Sequence, residues 1–405
     1  MNKISNNLKN INFFLILVLP FALLFGTFVS EIIIFLSTVF FLIKSYIEKE
    51  WEWTKKTEFK YLLLIWSYLI LNAILANNIH LSLSRGIFFF RFILLIFVIS
   101  DILKNKRFEN IIFISWIALT IVTSVDIYIE FFFEKDLLGN FSEYSGRIAS
   151  FTGKEIKIGG YLSAILFTSF SFFLNKNINI KKYIILLSVL TFTLFAVMMT
   201  GERSNSIKAA FIFILFLLFL KKHQLIKYIA LIVFIIILIL SVLNINKVKY
   251  RYTEIINNIN NPIILLKDSL HGAHYSTAWK IFKNYPYFGI GNKNFREECQ
   301  NKIYLDKNYK YTENRCSTHP HQIYLELLSE LGIIGTLLIF FFIIFISAKS
   351  FLIYFKKYNL LILAPTLYVI STFIPLLPSG SFFTSFGATL FWLNIGIIFS
   401  NFNKN

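Results

Sequence analysis

The chain has 405 residues, 56% of them hydrophobic and only 15% charged, with 48 phenylalanines and a formal net charge of +18. Soluble domains carry about 25% charged residues, so this composition, with a mean hydropathy of +0.65, excludes a soluble globular protein. The surplus cations lie in short connectors between apolar runs, not in an aromatic-interleaved basic domain, and this sets aside nucleic acid as a partner.

The apolar runs are close to the ~20 residues that cross a bilayer as a helix. No water is available there for backbone groups, so each run must be helical. The pattern predicts an all-α polytopic membrane protein of about twelve transmembrane helices. The expected spans are 11–27, 30–45, 61–76, 84–100, 111–133, 159–174, 183–200, 207–220, 228–245, 325–346, 360–377 and 382–399. The first run is longer than the core of a secretory signal and more spans follow at once, so no cleaved leader is expected. Gly26, Ser30 and Glu31 mark a turn within the first pair, and Pro375, Pro378, Ser379 and Gly380 break the last.

Lysine and arginine bias in short connectors sets orientation. The connectors 44–60, 101–110, 175–182, 221–227 and 348–359 are lysine-rich and fall on one side of a twelve-span chain. Both termini are therefore expected in the cytoplasm. The other side carries 77–83, 134–158, 201–206, 246–323 and 378–381. The 246–323 loop is itself basic, but loops beyond ~60 residues escape the charge rule. The chain reads as a single membrane domain, 1–405, with the 246–323 loop inserted between the ninth and tenth spans. It shows no internal repeat, and this counts against transporters built from inverted repeats.

In chain order, the first candidate residues are arginines in the membrane. Arg85 lies at the mouth of the fourth span and Arg91 inside it, while Arg203 occupies a very short turn beside Glu202. Ionisable residues in membranes are costly and point to function, and guanidinium binds phosphate bidentately. For Arg85, interfacial snorkelling is an equal reading. Within the large loop, Trp279-Lys280-Ile281-Phe282 leads into Pro286, Gly289 and Gly291, a helix followed by a tight turn.

Of six histidines, His271, His274, His319 and His321 lie in this loop; His80 and His223 do not. Imidazole is the side chain able to act as a base near neutral pH. Surface histidines are common, but the pair in Thr318-His319-Pro320-His321-Gln322 sits just before the tenth span, where a lipid-linked head group would meet it. His-x-His is too short to fix a metal, and no carboxylate or thiolate is spaced to complete a site. Cys299 and Cys316 both fall in the large loop. In an oxidising compartment they would form a disulfide; otherwise they are two buried thiols.

These segments together resemble the O-antigen ligases and related polymerases. Thr318 to Gly335 resembles the family's His-amide signature, which runs into a span through an acidic-x-Gly-x-x-Gly ending. Trp279 to Gly291 is similar to its tryptophan-to-Gly-x-Gly segment, and Thr200-Gly201-Glu202-Arg203-Ser204 to its Thr-Gly-x-Arg turn. Gly146-Arg147 with Phe151-Thr152-Gly153 resembles its Arg-x-x-Gly segment. The resemblance implies a metal-independent, cofactor-free, inverting glycosyltransferase of the bacterial inner membrane, with its active site facing the periplasm. Its donor would be an undecaprenyl-diphosphate-linked glycan and its acceptor a lipid A-core or another glycan. On matching positions, His321 stands for the essential histidine, with His319 shaping the loop. Arg203 stands for a diphosphate-binding arginine, joined by Arg91 and Arg147. The family's arginine before the loop tryptophan is replaced by Tyr275, so His274, Arg296 or Arg315 would have to supply that cation. Ligase and polymerase fit equally. A flippase or ion-coupled transporter would instead distribute charges along a central pathway.

Overall fold

A computed structural model describes residues 2–143, 146–153, 155–258 and 266–402; the expected loops 134–158 and 246–323 lie partly outside these residues. Among them there is no strand. A helix lies at every expected span: α1 Asn2–Phe25, α2 Thr27–Glu48, α3 Thr57–Ile74, α4 Ile79–Ile102, α5 Lys106–Phe133, α6 Ile158–Leu174, α7 Ile180–Met199, α8 Arg203–Phe219 and α9 Gln224–Asn244. The loop adds α10 Asn246–Asn258 and α11 Leu270–Asn284, and the bundle closes with α12 Ile323–Lys357, α13 Leu360–Thr372 and α14 Ser385–Phe402. Eight of the described helices are long and apolar enough to cross a membrane, so the chain is a polytopic membrane protein.

Gly26, at φ 138°, separates α1 from α2, in the left-handed region that only glycine enters without strain. Ser30 and Glu31 lie inside α2. The last pair divides later than expected. Helix α13 has 13 residues, about 20 Å, and cannot cross ~30 Å of hydrocarbon alone. Segment 373–384 follows it without helical structure, and such backbone is tolerated at membrane depth where it lines a cavity. Of the eight long apolar helices the most buried is α14, with 83% of its apolar window enclosed, and the most exposed is α9, with 17%. Helix α14 packs chiefly on α4 and α13, whereas α9 leans on α7 and α8 at the edge.

The connectors sort to two ends. At one end Lys44 meets Asp101, Lys349 meets Glu58 and Lys176 bonds Asn110. At the other, Asn78 meets Asn294, Ile148 meets Thr200 and Ser379 meets His321. The large loop belongs to this second end.

That loop is fastened by a break in α12. Gly332 has φ 65° and ψ −174° in mid-helix, which frees carbonyls that a continuous helix would use. The loop takes them: Ile290 N–H donates to Ser329 O at 3.0 Å and Gly291 N–H to Glu330 O at 2.9 Å. Ile333 N–H returns to Pro286 O at 2.8 Å. From α3, Tyr68 donates to Leu331 O at 2.5 Å, and Asn72 donates to Phe288 O at 2.7 Å and Glu330 O at 3.1 Å. A Cβ on Gly332 would stand 2.2 Å from Tyr287 O, and one on Gly289 2.5 Å from Glu330 O. The approach is backbone on backbone, so neither position admits a side chain.

Candidate active site

Beneath the loop lies a cavity of about 500 Å³. Its polar lining comes from several elements, among them Lys157 at the start of α6, paired with Glu155. Helix α8 contributes Asn205 and Lys208, three residues apart on one face and in line with Glu202 before them; α4 contributes Arg85, and the loop contributes Lys293 and His319. Helices α13 and α14 contribute a mixed lining, with Tyr368, Phe386, Leu390 and Phe391 beside Ser371, Thr372 and Ser385. The roof is Ser379, Gly380 and Ser381 of the non-helical segment.

Glu202 lines the same cavity. It accepts from the Gly159 N–H at 2.6 Å and from Asn205 Nδ2 at 2.6 Å, and burial raises its pKa, favouring the neutral acid. A Cβ on Gly159 would come within 3.0 Å of Glu202 Oε1, so this contact requires glycine. Lys293 is 8% exposed; burial, then Arg85 and Arg296, lower its pKa to about 8 against the pull of Glu330 and Glu326. Its backbone N–H donates to Glu330 Oε2 at 2.8 Å. One turn earlier on α12, Glu326 accepts from the Phe382 N–H at 2.9 Å and from the Ser381 hydroxyl. The two buried carboxylates thus tie the floor and roof segments to one helix.

The histidines converge at the cavity rim. Ring centroids of His319 and His321 are 4.1 Å apart, those of His274 and His321 5.3 Å, and those of His271 and His321 5.4 Å. Helix α11 supplies His271 and His274 one turn apart, and His274 is fixed by the Arg315 carbonyl at 2.8 Å from Nδ1. Both nitrogens of His319 are engaged, Nδ1 with Thr318 Oγ1 at 3.0 Å and Nε2 with Ser379 O at 3.3 Å. His321 holds φ 59° and bonds Ser317 Oγ through Nε2 at 3.0 Å; among the described residues its Nδ1 has no hydrogen-bond partner. With Ser317 accepting from Nε2–H, the lone pair lies on Nδ1. Burial, then the neighbouring imidazoles, lower His321 to about 3. Burial lowers His319 to about 4. Both rings are neutral at physiological pH.

The arginines named from sequence fall into separate places. Arg203 starts α8 directly after Glu202 and does not line the cavity. Arg147 is exposed and close enough to influence His271 and Glu202. Its strand of chain is carried on the α8 turn: Ile148 N–H donates to Thr200 O at 3.0 Å, and Arg251, which the sequence reading did not single out, holds Gly201 O at 3.0 Å. Arg91 is elsewhere. Glu31 of α2 grips its guanidinium at 2.7 and 2.8 Å, so both charges are satisfied within the membrane. Arg315 donates to the carbonyls of Thr312, Gln300 and Asn301 and is committed to loop structure. Arg296 lies close enough to Arg85 to act on its charge. Cys299 and Cys316 are bonded, with Cα atoms 5.3 Å apart. This ties Arg315 and Ser317, the partners of His274 and His321, to the loop core. Among the described residues, no group of His, Cys, Asp or Glu could hold a metal.

Residues 186–340 match the family model described as O-Antigen ligase. No curated protein matches the chain. The matched stretch includes Arg203, Lys208, the loop and the whole histidine cluster.

Proposed function

We propose that this chain, placed in the O-antigen ligase/polymerase superfamily by its residues 186–340, is a bacterial inner-membrane glycosyltransferase that moves a glycan from undecaprenyl diphosphate to a lipid A-core acceptor at the periplasmic face. The observation that carries this reading is a neutral histidine with a free ring nitrogen, His321, at the rim of a cavity lined by Arg85, Lys208 and Lys293.

His321 Nδ1 takes the acceptor hydroxyl proton as that oxygen attacks the anomeric carbon. The bond to the diphosphate breaks with inversion, and its electron pair leaves on the phosphate oxygen. His319, held by Thr318 and Ser379, packs on His321 and fixes its ring. Arg203 and Arg147, at the same end, offset the charge on the leaving diphosphate. His274, its Nδ1 committed to Arg315 O, replaces no missing phosphate-binding arginine.

The surface-glycan profile of a deletion strain tests this. Full-length glycan left on the lipid carrier is the expected result and means ligase; single repeat units would mean a polymerase working by the same chemistry. An unchanged profile would overturn the transferase reading.

A further inference from the structure

The connector end holds a second polar cavity, remote from the histidines. It measures about 290 Å³ and lies where the ends of α2 and α4 meet the connector 50–56. A smaller one of about 90 Å³ shares Lys56, Phe97 and Ser100 with it. Most charges in the two linings are paired within the protein. Asp101 is held by Lys44 and Lys104, Glu52 by Lys55 and Glu58 by Lys349. Two remain, half-buried Lys56 and exposed Glu50. Among the described residues neither side chain makes an ion pair or a hydrogen bond.

Three neutral donors lining the same cavity are also unmatched. Ser45 and Ser100 are 3% and 6% exposed, and among the described residues neither hydroxyl has a hydrogen-bond partner. The Trp53 Nε1–H is buried without an acceptor, its ring held between Phe41 at 5.4 Å and Phe97 at 5.2 Å. Buried polar groups in native proteins are normally partnered. Burial, then Lys104, lower the pKa of Lys56, so an anion beside it would restore its charge. One ammonium, two hydroxyls and an indole N–H match a phosphate diester, whose oxygens only accept. Glu50 would repel a ligand that was purely anionic, and suits one that carries an ammonium next to its phosphate. The level in the bilayer identifies the source. Trp51, 39% exposed, packs on Trp53 at 5.9 Å, and tryptophan marks the head-group region. Basic pockets between spans at this level bind lipid head groups. We propose that this cavity binds the head group of phosphatidylethanolamine, its phosphate on Lys56, Ser45, Ser100 and Trp53 and its ammonium on Glu50. The site is independent of the transferase reading.

Native mass spectrometry of the purified full-length protein in detergent tests it, with phosphatidylethanolamine and phosphatidylglycerol of equal chain length as probes. The wild type should retain the first in clear preference to the second. Lys56→Met should weaken phosphatidylethanolamine roughly tenfold or more, as loss of a charge-assisted bond requires. Glu50→Gln, a change at an exposed position, should abolish the preference by admitting phosphatidylglycerol equally well. Lys60→Met, in the same connector but outside the cavity, should bind as wild type. An unfolding midpoint equal to wild type without added lipid establishes that each variant is folded. Undiminished phosphatidylethanolamine binding in Lys56→Met, or an equal loss in Lys60→Met, would overturn the site. Equal retention of both lipids by the wild type would overturn the role of Glu50. Free phosphoethanolamine raising the unfolding midpoint as far as the lipid does would overturn the lipid as occupant.

Discussion

At the connector end of the bundle, Lys44 sits between Asp101 at 3.0 Å and Glu48 at 2.9 Å. Lys104 reaches the same Asp101 from outside, and Lys349 pairs with buried Glu58. At the loop end, Arg85 and Lys208 line a cavity together with Glu202, and neither makes an ion pair among the described residues. Both ends are basic, yet one closes its buried charges on itself and the other leaves them open. Burying a charge without a partner costs several kcal/mol, so the fold accepts this arrangement only where something else compensates.

The contrast is broken most severely at the rim. His321→Ala should slow transfer about 10²–10⁴-fold, the usual contribution of a positioned base, with prenyl-diphosphate affinity unchanged; a purified assay with lipid-linked glycan and acceptor measures both. His319→Ala should cost less, because that ring positions its neighbour. Lost activity in His319→Ala with normal activity in His321→Ala would exchange their roles.

At the connector end the effect should fall on stability. Lys44→Met leaves Asp101 only the largely exposed Lys104 and should destabilise by about 1.5–3 kcal/mol, read as a lower unfolding midpoint in detergent, with turnover per folded molecule intact. Lys104 is largely exposed, with 61% of its side chain accessible, and Lys104→Ala should cost only ~0–1 kcal/mol. A Lys44→Met protein that is fully stable but inactive would erase the distinction between the ends.

The smallest effect is a pH dependence carried by the rim. In the unfolded chain imidazole titrates near ~6.5, whereas folded His319 resists protonation until about 4, and His271 and His274 are also lowered. Below pH 6.5 the unfolded chain binds protons that the folded one refuses, so stability should decline from pH 6.5 toward 4 and be flat above. Melting curves across this range should flatten in His319→Gln. The rate should keep its neutral base well below pH 6, and an acid limb near 6.5 would contradict the buried rim.

The spans were legible because twenty-residue apolar runs admit one solution in a bilayer, and Gly26 marked the first hairpin. Gly332 was visible as part of a motif but not as a break, because the residues after it remain apolar and would continue any helix. The histidine segment was legible as chemistry. Which ring is free was not, since that depends on Ser317, Thr318 and Ser379 contacts made through the folded loop. The pairing of Arg91 was not legible, because its partner Glu31 stands sixty residues away on another helix. Lys208 and Lys293 were passed over because a lone lysine near a span end reads as snorkelling and one in a loop as solvated. Only the fold shows that they share a cavity with Arg85.

The docking of the loop across Gly332 bears on how the protein is made. Its platform is assembled from Tyr68 and Asn72, synthesised long before the loop, and from Ser329 to Ile334, synthesised after it. During biogenesis the loop has one half of its anchor until α12 has been made. The order of events at the membrane is thus written into the hydrogen bonds. The histidine cluster can gather only once α12 has formed, so a chain truncated before residue 332 would carry every loop residue and still lack a site.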